Sequence, residues 1–147
     1  MIEERSAGAV VFNDEDGSTR YLLLNYPAGH WDFPKGNIEK GEEPLDTVKR
    51  EISEETGIKK IEILPGFSKN IEYYYRRNVG LVHKQVIYLL ARTKTRHITL
   101  SHEHNNYAWL ELEKAVSKVT YRNSKTILRE ASRFLDEGPI HRYEFAP

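Results

Sequence analysis

Apolar residues fall in short blocks along this chain, and the period of each block predicts an element. "SAGAVVF" (residues 6–12) and "YLLLNY" (21–26) are compact and β-strand-like, with "NDEDGSTR" between them as a turn, so a hairpin is expected. "PAGHWDFPKG" (27–36) carries Pro27, Gly29, Pro34 and Gly36 and reads as loop, with a short extended piece through Trp31 and Phe33. From Pro44 to Thr56 the period becomes helical: Leu45, Val48 and Ile52 recur at i, i+3 and i+7 as one buried stripe. Pro44 suits the first helical turn and Gly57 the position just past the end. "KIEILPGF", "SKNIEYYY" and, after a basic loop, "KQVIYLLART" are strand-like, as is "YAWLEL" (107–112). "SKTILREASRFLDEG" then places Ile127, Leu128, Ala131, Phe134 and Leu135 on one helical stripe ending at Gly138. Strands and helices interleave without repeats or a Pro/Ser-rich linker, which predicts one α/β domain over residues 1–147, a mixed sheet flanked by helices.

Composition narrows the function classes. Lys plus Arg equals Asp plus Glu at 22 each, so global charge predicts neither a nucleic-acid nor a membrane partner, and any electrostatic argument must be local. No block approaches the roughly 20 apolar residues of a membrane span. "MIEERSAGAV" has no basic start followed by an apolar run, so no signal peptide is expected. The absence of cysteine excludes disulfide and thiolate chemistry and fits a cytoplasmic setting. One Met, no Cys and abundant Lys and Glu also suit a heat-adapted protein.

Local charge is far from even. Residues 36–58, "GNIEKGEEPLDTVKREISEETGI", hold seven carboxylates. Glu42 and Glu43 stand at the helix entry, where the dipole favours them. Glu51, Glu54 and Glu55, at i, i+3 and i+4, are expected on one face opposite the Leu45/Val48/Ile52 stripe. Like charges on adjacent turns repel, and only Arg50 borders them, placed to orient a neighbouring carboxylate through its planar fork. Acids without compensating bases imply a cation from outside. Oxygen ligands with no Cys, and no His within the helix, indicate a hard ion, Mg²⁺ or Mn²⁺.

The same segment resembles the Nudix box, G-x5-E-x7-R-E-U-x-E-E-x-G-U with U aliphatic. It matches at Gly36, Glu42, Arg50, Glu51, Ile52, Glu54, Glu55, Gly57 and Ile58, every specified position. The resemblance implies a Nudix-type α/β/α sandwich with a loop–helix–loop catalytic motif. It also implies hydrolysis of a nucleoside diphosphate linked to another group, with Glu51, Glu54 and Glu55 holding one or more divalent ions.

Outside the box, "HWDFPKG", "IEYYYRRN", "KQVIYLL" and "LSHEHNNYAWLELEKA" are similar to the diadenosine tetraphosphate (Ap4A) hydrolases of animal and archaeal type, over nearly the whole chain. That similarity implies asymmetric cleavage of Ap4A to ATP and AMP. Lys35, beside Gly36, is then the cation met by an approaching phosphate chain. Tyr73 is the base-stacking residue, sharing one side of its strand with Tyr75, and Tyr121 closes over the second face of the base. Lys84 and His30 contact phosphate. Glu103, from another loop, serves as an extra metal ligand or as the base, with Glu54 the first choice for that role. Arg76 and Arg77 could extend a positive rim. His102 and His104 invite a zinc reading, but i, i+2 spacing without a third partner makes it poor.

Other readings stay open at this point. Relatives acting on 5′-triphosphate RNA ends or on diphosphoinositol phosphates share parts of the similarity, although a long basic path for an RNA strand is missing. A catalytically silent nucleotide-binding module is the reading from another class, disfavoured because every box carboxylate is kept.

Overall fold

The computed structural model describes residues 1–144, with side chains as far as Gly138. In chain order the elements are β1 (Ile2–Asn13), β2 (Arg20–Asn25), β3 (Trp31–Asp32), β4 (Lys35–Asn37), α1 (Pro44–Thr56), β5 (Glu62–Ile63), β6 (Lys69–Arg77), β7 (Gly80–Arg92), β8 (Asn106–Leu110), α2 (Leu112–Lys118) and α3 (Arg122–Glu144). β1 and β2 form the expected hairpin, with Phe12 opposite Tyr21. β1 nevertheless begins four residues before its apolar block. Ile2 to Phe12 pair in parallel with Val82 to Arg92, so the backbone ladder recruits the polar stretch. All other pairings among the described residues are antiparallel, which makes the sheet mixed.

Alternation along β1 sends side chains to two cores. Ala7, Ala9 and Val11 pack with Val48 and Ile52 of α1. Val10 and Phe12 pack with Ala115, Val116, Ile127, Leu128 and Ala131 of α2 and α3. Helices therefore cover both faces, the α/β/α sandwich expected. Each buried Val, Leu, Ile or Phe stabilises the fold by about 1.5–3 kcal/mol before conformational entropy is set against it.

α1 keeps its predicted bounds. Pro44 opens it, Glu43 and Asp46 form a reciprocal capping box, and Gly57 closes it at φ 78 with its N–H on Ser53 O at 2.9 Å. Its stripe differs from expectation. Thr47 takes the inward place in the first turn, its hydroxyl donating to Glu42 at 2.8 Å, and Leu45 is left exposed. The expected basic loop is also absent. Arg76 and Arg77 belong to β6, and only Asn78 and Val79 separate it from β7. "YAWLEL" divides, with β8 ending at Leu110 and α2 starting at Leu112. The inward residues Ala115 and Val116 span too few turns to announce a helix. α3 starts at Arg122 and breaks at Gly138 (φ 66, ψ 171), where its stripe was expected to end. Among the described residues, no helix is long and apolar enough to cross a membrane.

Candidate active site

Glu51, Glu54 and Glu55 of α1 open onto one cleft, but they differ in exposure, and Glu55 is not opposite the apolar stripe as expected. Glu54 is open to solvent, Glu51 is mostly covered, and Glu55 is buried at 5% exposure. Glu55 lies i+3 from Ile52 and i+7 from Val48, so it belongs to the inward stripe. Its Oε1 accepts the backbone N–H of Lys35 at 3.1 Å. Burial, then the neighbouring charges of Glu51 and Glu103, push the Glu55 carboxyl up to about 9. Burial also raises Glu51, against the pull of Arg50.

Arg50 distributes its donors as the box spacing suggested. Its guanidinium donates to both oxygens of Glu42 (2.7 and 3.0 Å), to Glu51 Oε1 (2.6 Å), to Glu54 Oε2 (3.4 Å) and to Asn37 O (3.0 Å). Those bonds hold the Glu42 carboxyl down at about 2 and tie the loop after β4 to the helix. Gly36 leaves room for the Glu51 carboxylate: a Cβ there would lie 2.1 Å from it and displace it. Glu51, Glu54 and Glu55 line one cleft of about 330 Å³ with Ser101, His102 and Glu103, so the expected fourth carboxylate does arrive from another loop.

The four carboxylates of this cleft supply oxygen ligands that fit a hard divalent ion. Crowded carboxylates, one buried and pushed far above its usual range, are what a cation would relieve. As they stand, no three His, Asp or Glu side chains among the described residues are gathered closely enough to hold an ion. Arg50 draws Glu51 and Glu54 toward itself instead.

A second cavity, of about 390 Å³, is lined by other residues. Tyr73 and Tyr121 contribute exposed rings, His30 and Ile71 part of the wall, and Asp32, Lys35, Asn123 and Ser124 the polar lining. Tyr73 and Tyr75 do share a side, their ring centroids 6.1 Å apart, while Tyr74 stacks on His83 at 4.6 Å. His30 lies parallel on Tyr26 at 4.7 Å and 5.5 Å from Tyr121. Lys35 lines the second cavity and is bonded to a residue of the first. Its backbone binds Glu55, and its ammonium donates to Asp32 Oδ2 at 3.0 Å. Lys84 lies opposite Tyr73 in the β6–β7 register, donating to Asn37 Oδ1 at 3.2 Å; burial lowers its pKa. Arg77 is engaged by Glu4 at 3.2 Å, which weakens the idea of a positive rim. A wider hollow of about 490 Å³, lined in part by Arg5, Ile38, Glu72 and Gln85, has neither an acidic cluster nor facing rings.

A family model described as NUDIX domain matches residues 3–131. The chain belongs to the Nudix family. This Nudix protein is 37% identical to the asymmetrical bis(5′-nucleosyl)-tetraphosphatase of Mus musculus, over 92% of this chain and 97% of the mouse protein. The crystal structure of a C. elegans Ap4A hydrolase binary complex superposes with a TM-score of 0.82 at 32% identity, covering 92% of this chain and 99% of that one. The RNA pyrophosphohydrolase of Sulfurovum sp. is 32% identical over 75% of this chain and 76% of its own.

Several residues at the Nudix site carry no sequence signal strong enough to single them out. Asp32 is one acid in a loop. Tyr26 is the last residue of an apolar block. His104 offers the sequence only a poor zinc spacing, yet it is buried, its ring edge-on to Tyr26 at 4.6 Å. Its Nδ1 pairs with Ser101 Oγ at 2.9 Å and its Nε2 lies 3.7 Å from Glu55 Oε2. His102 instead lines the acidic cleft. Asn37 and Ser124 become notable only through their partners, Lys84 and Asp32.

Proposed function

We propose that this Nudix hydrolase cleaves diadenosine tetraphosphate asymmetrically to ATP and AMP, with Mg²⁺ as its ion and Mn²⁺ as a substitute. One observation carries the reading. Lys35 lines the aromatic slot and its backbone N–H binds Glu55 of the acidic cleft, which supports a substrate whose base lies in the slot and whose phosphates extend past Lys35 toward the carboxylates. Glu51, Glu54, Glu55 and Glu103 would hold the divalent ion, which when bound would neutralise phosphoryl charge and lower the pKa of water. The chain's own residues do the rest. Tyr73 and Tyr121 stack one adenine, which anchors the near end of the substrate. Lys35, Lys84 and His30 position phosphates and balance charge away from the attacked phosphorus. Arg50 orients Glu51 and Glu54. Water attacks phosphorus, its proton passes to Glu54, and the P–O bond to the leaving nucleotide breaks. Glu103 is the alternative acceptor, reaching the same cleft from the opposite loop. We place the reaction in the cytoplasm, where a cysteine-free chain is at home.

The test is turnover with Mg²⁺ on Ap4A, triphosphorylated RNA, ADP-ribose and a diphosphoinositol phosphate, products resolved by chromatography. ATP plus AMP from Ap4A, at a kcat/KM well above the others, is expected. Dominant activity on another substrate would overturn the Ap4A assignment and leave the acidic cleft standing. No activity on any of them would revive the silent binding module.

A further inference from the structure

Asp32 is the one carboxylate of the aromatic slot that the proposed chemistry does not use, and it is 1% exposed. Its oxygens are fully directed. Oδ1 accepts the Phe33 N–H and the Ser124 hydroxyl, each at 2.9 Å, and Oδ2 accepts the Lys35 ammonium at 3.0 Å. Ser124 is itself buried, in the first turn of α3, three residues after Tyr121. The preceding residue of β3 is stitched to the same segment: Trp31 N–H donates to Thr120 Oγ1 at 2.9 Å, and Thr120 N–H returns to Trp31 O at 3.1 Å. A buried carboxylate shared between a lysine and a helix is costly unless paired on both sides, so neither partner moves freely.

We propose that Asp32 is a positioning residue that couples the phosphate lysine to the base-stacking wall. Through Oδ2 it limits the directions Lys35 can take, aiming the ammonium into the slot. Through Oδ1 it fixes the start of α3, and with it Tyr121 and Asn123, relative to that ammonium. The distance from stacked base to first phosphate is then set by one side chain. The role rests on the polyphosphate reading above and adds a residue to it.

A double-mutant cycle tests this, run on whichever nucleoside polyphosphate the wild-type enzyme hydrolyses. A wrong substrate assignment therefore shows in the wild type, and a wrong role for Asp32 only in the cycle. Asp32→Asn keeps an oxygen for Phe33 and Ser124 but turns an amide toward Lys35. We expect kcat/KM to fall at least tenfold for D32N, and D32N/K35M to match K35M alone. An equal loss from D32N in both backgrounds, or no loss in either, would overturn the proposal. Should D32N fail to fold by thermal melting, Ser124→Ala leaves the ion pair intact. It is expected to weaken AMP binding three- to tenfold in calorimetry while inorganic triphosphate binds as before. Equal weakening of both ligands, or of neither, would be the contrary result.

Discussion

Replacing Glu55 by Gln separates what the buried carboxylate does for the fold from what it does for the reaction. The folded group titrates at about 9 against 4.5 in the ordinary state, so between those values the native protein binds a proton that the unfolded chain has released. Stability in the absence of divalent ions therefore falls as pH rises through that window, by about 1.4 kcal/mol per pH unit. At pH 7 the accumulated cost is on the order of 3 kcal/mol. Gln carries no such cost and keeps an Oε1 for the Lys35 N–H. E55Q in EDTA at pH 7 is thus expected to melt higher than wild type, by up to about 10 °C for a chain of this size. Millimolar Mg²⁺ should reverse the order, raising the wild-type Tm and leaving E55Q unmoved, with turnover abolished in the variant. Differential scanning fluorimetry with and without Mg²⁺ from pH 5 to 9, beside a turnover assay, reads all three effects. An E55Q protein that melts below wild type in EDTA, or that keeps wild-type turnover, refutes the reasoning.

Gly36→Ala drives a methyl into the Glu51 carboxylate, a flexible group that can swing away; we expect Tm within a few degrees of wild type but Mg²⁺ affinity and kcat down tenfold or more. Calorimetric Mg²⁺ titration checks it. Tyr121→Ala removes one wall of the slot, and a loss of about 1–3 kcal/mol of stacking should raise KM roughly tenfold or more with kcat little changed. His83, held by Glu72 and then Glu3, has its pKa raised. Its contribution to stability is full below pH about 6.5 and fades as pH climbs through the raised value. A difference melt of wild type and H83Q should show that slope, and parallel curves would deny it.

Local signals in the sequence specify some elements of the fold, and distant partners specify others. The α1 bounds were legible because Pro44, the i, i+3, i+7 apolar residues and Gly57 all act locally. The cleft was legible because one short segment supplies most of it. The start of β1 was not, since residues 2–5 are strand only through partners some 80 positions away. Glu55 misled in an instructive way. Its spacing from Glu51 placed it with the acids, while its spacing from Val48 and Ile52, equally visible, placed it in the core; both are true, and their conflict is what raises its pKa. Asp32 and His104 had no comparable periodicity. Only tertiary contact reveals that one holds Lys35 and the other borders Glu55.

The parallel ladder between β1 and β7 has a consequence for biosynthesis. A ribosome adding on the order of 10 residues per second releases β1 several seconds before its partner exists. During that interval the strand at the centre of the sheet has only the β2 hairpin and the β4 contact to occupy it. Its apolar half, Ala7 to Phe12, is then a free edge that a neighbouring nascent chain could capture. The charged run Glu3, Glu4 and Arg5 stands beside that edge. Besides pairing with His83, Lys84 and Gln85 in the finished fold, it supplies charges that discourage such capture while the chain waits.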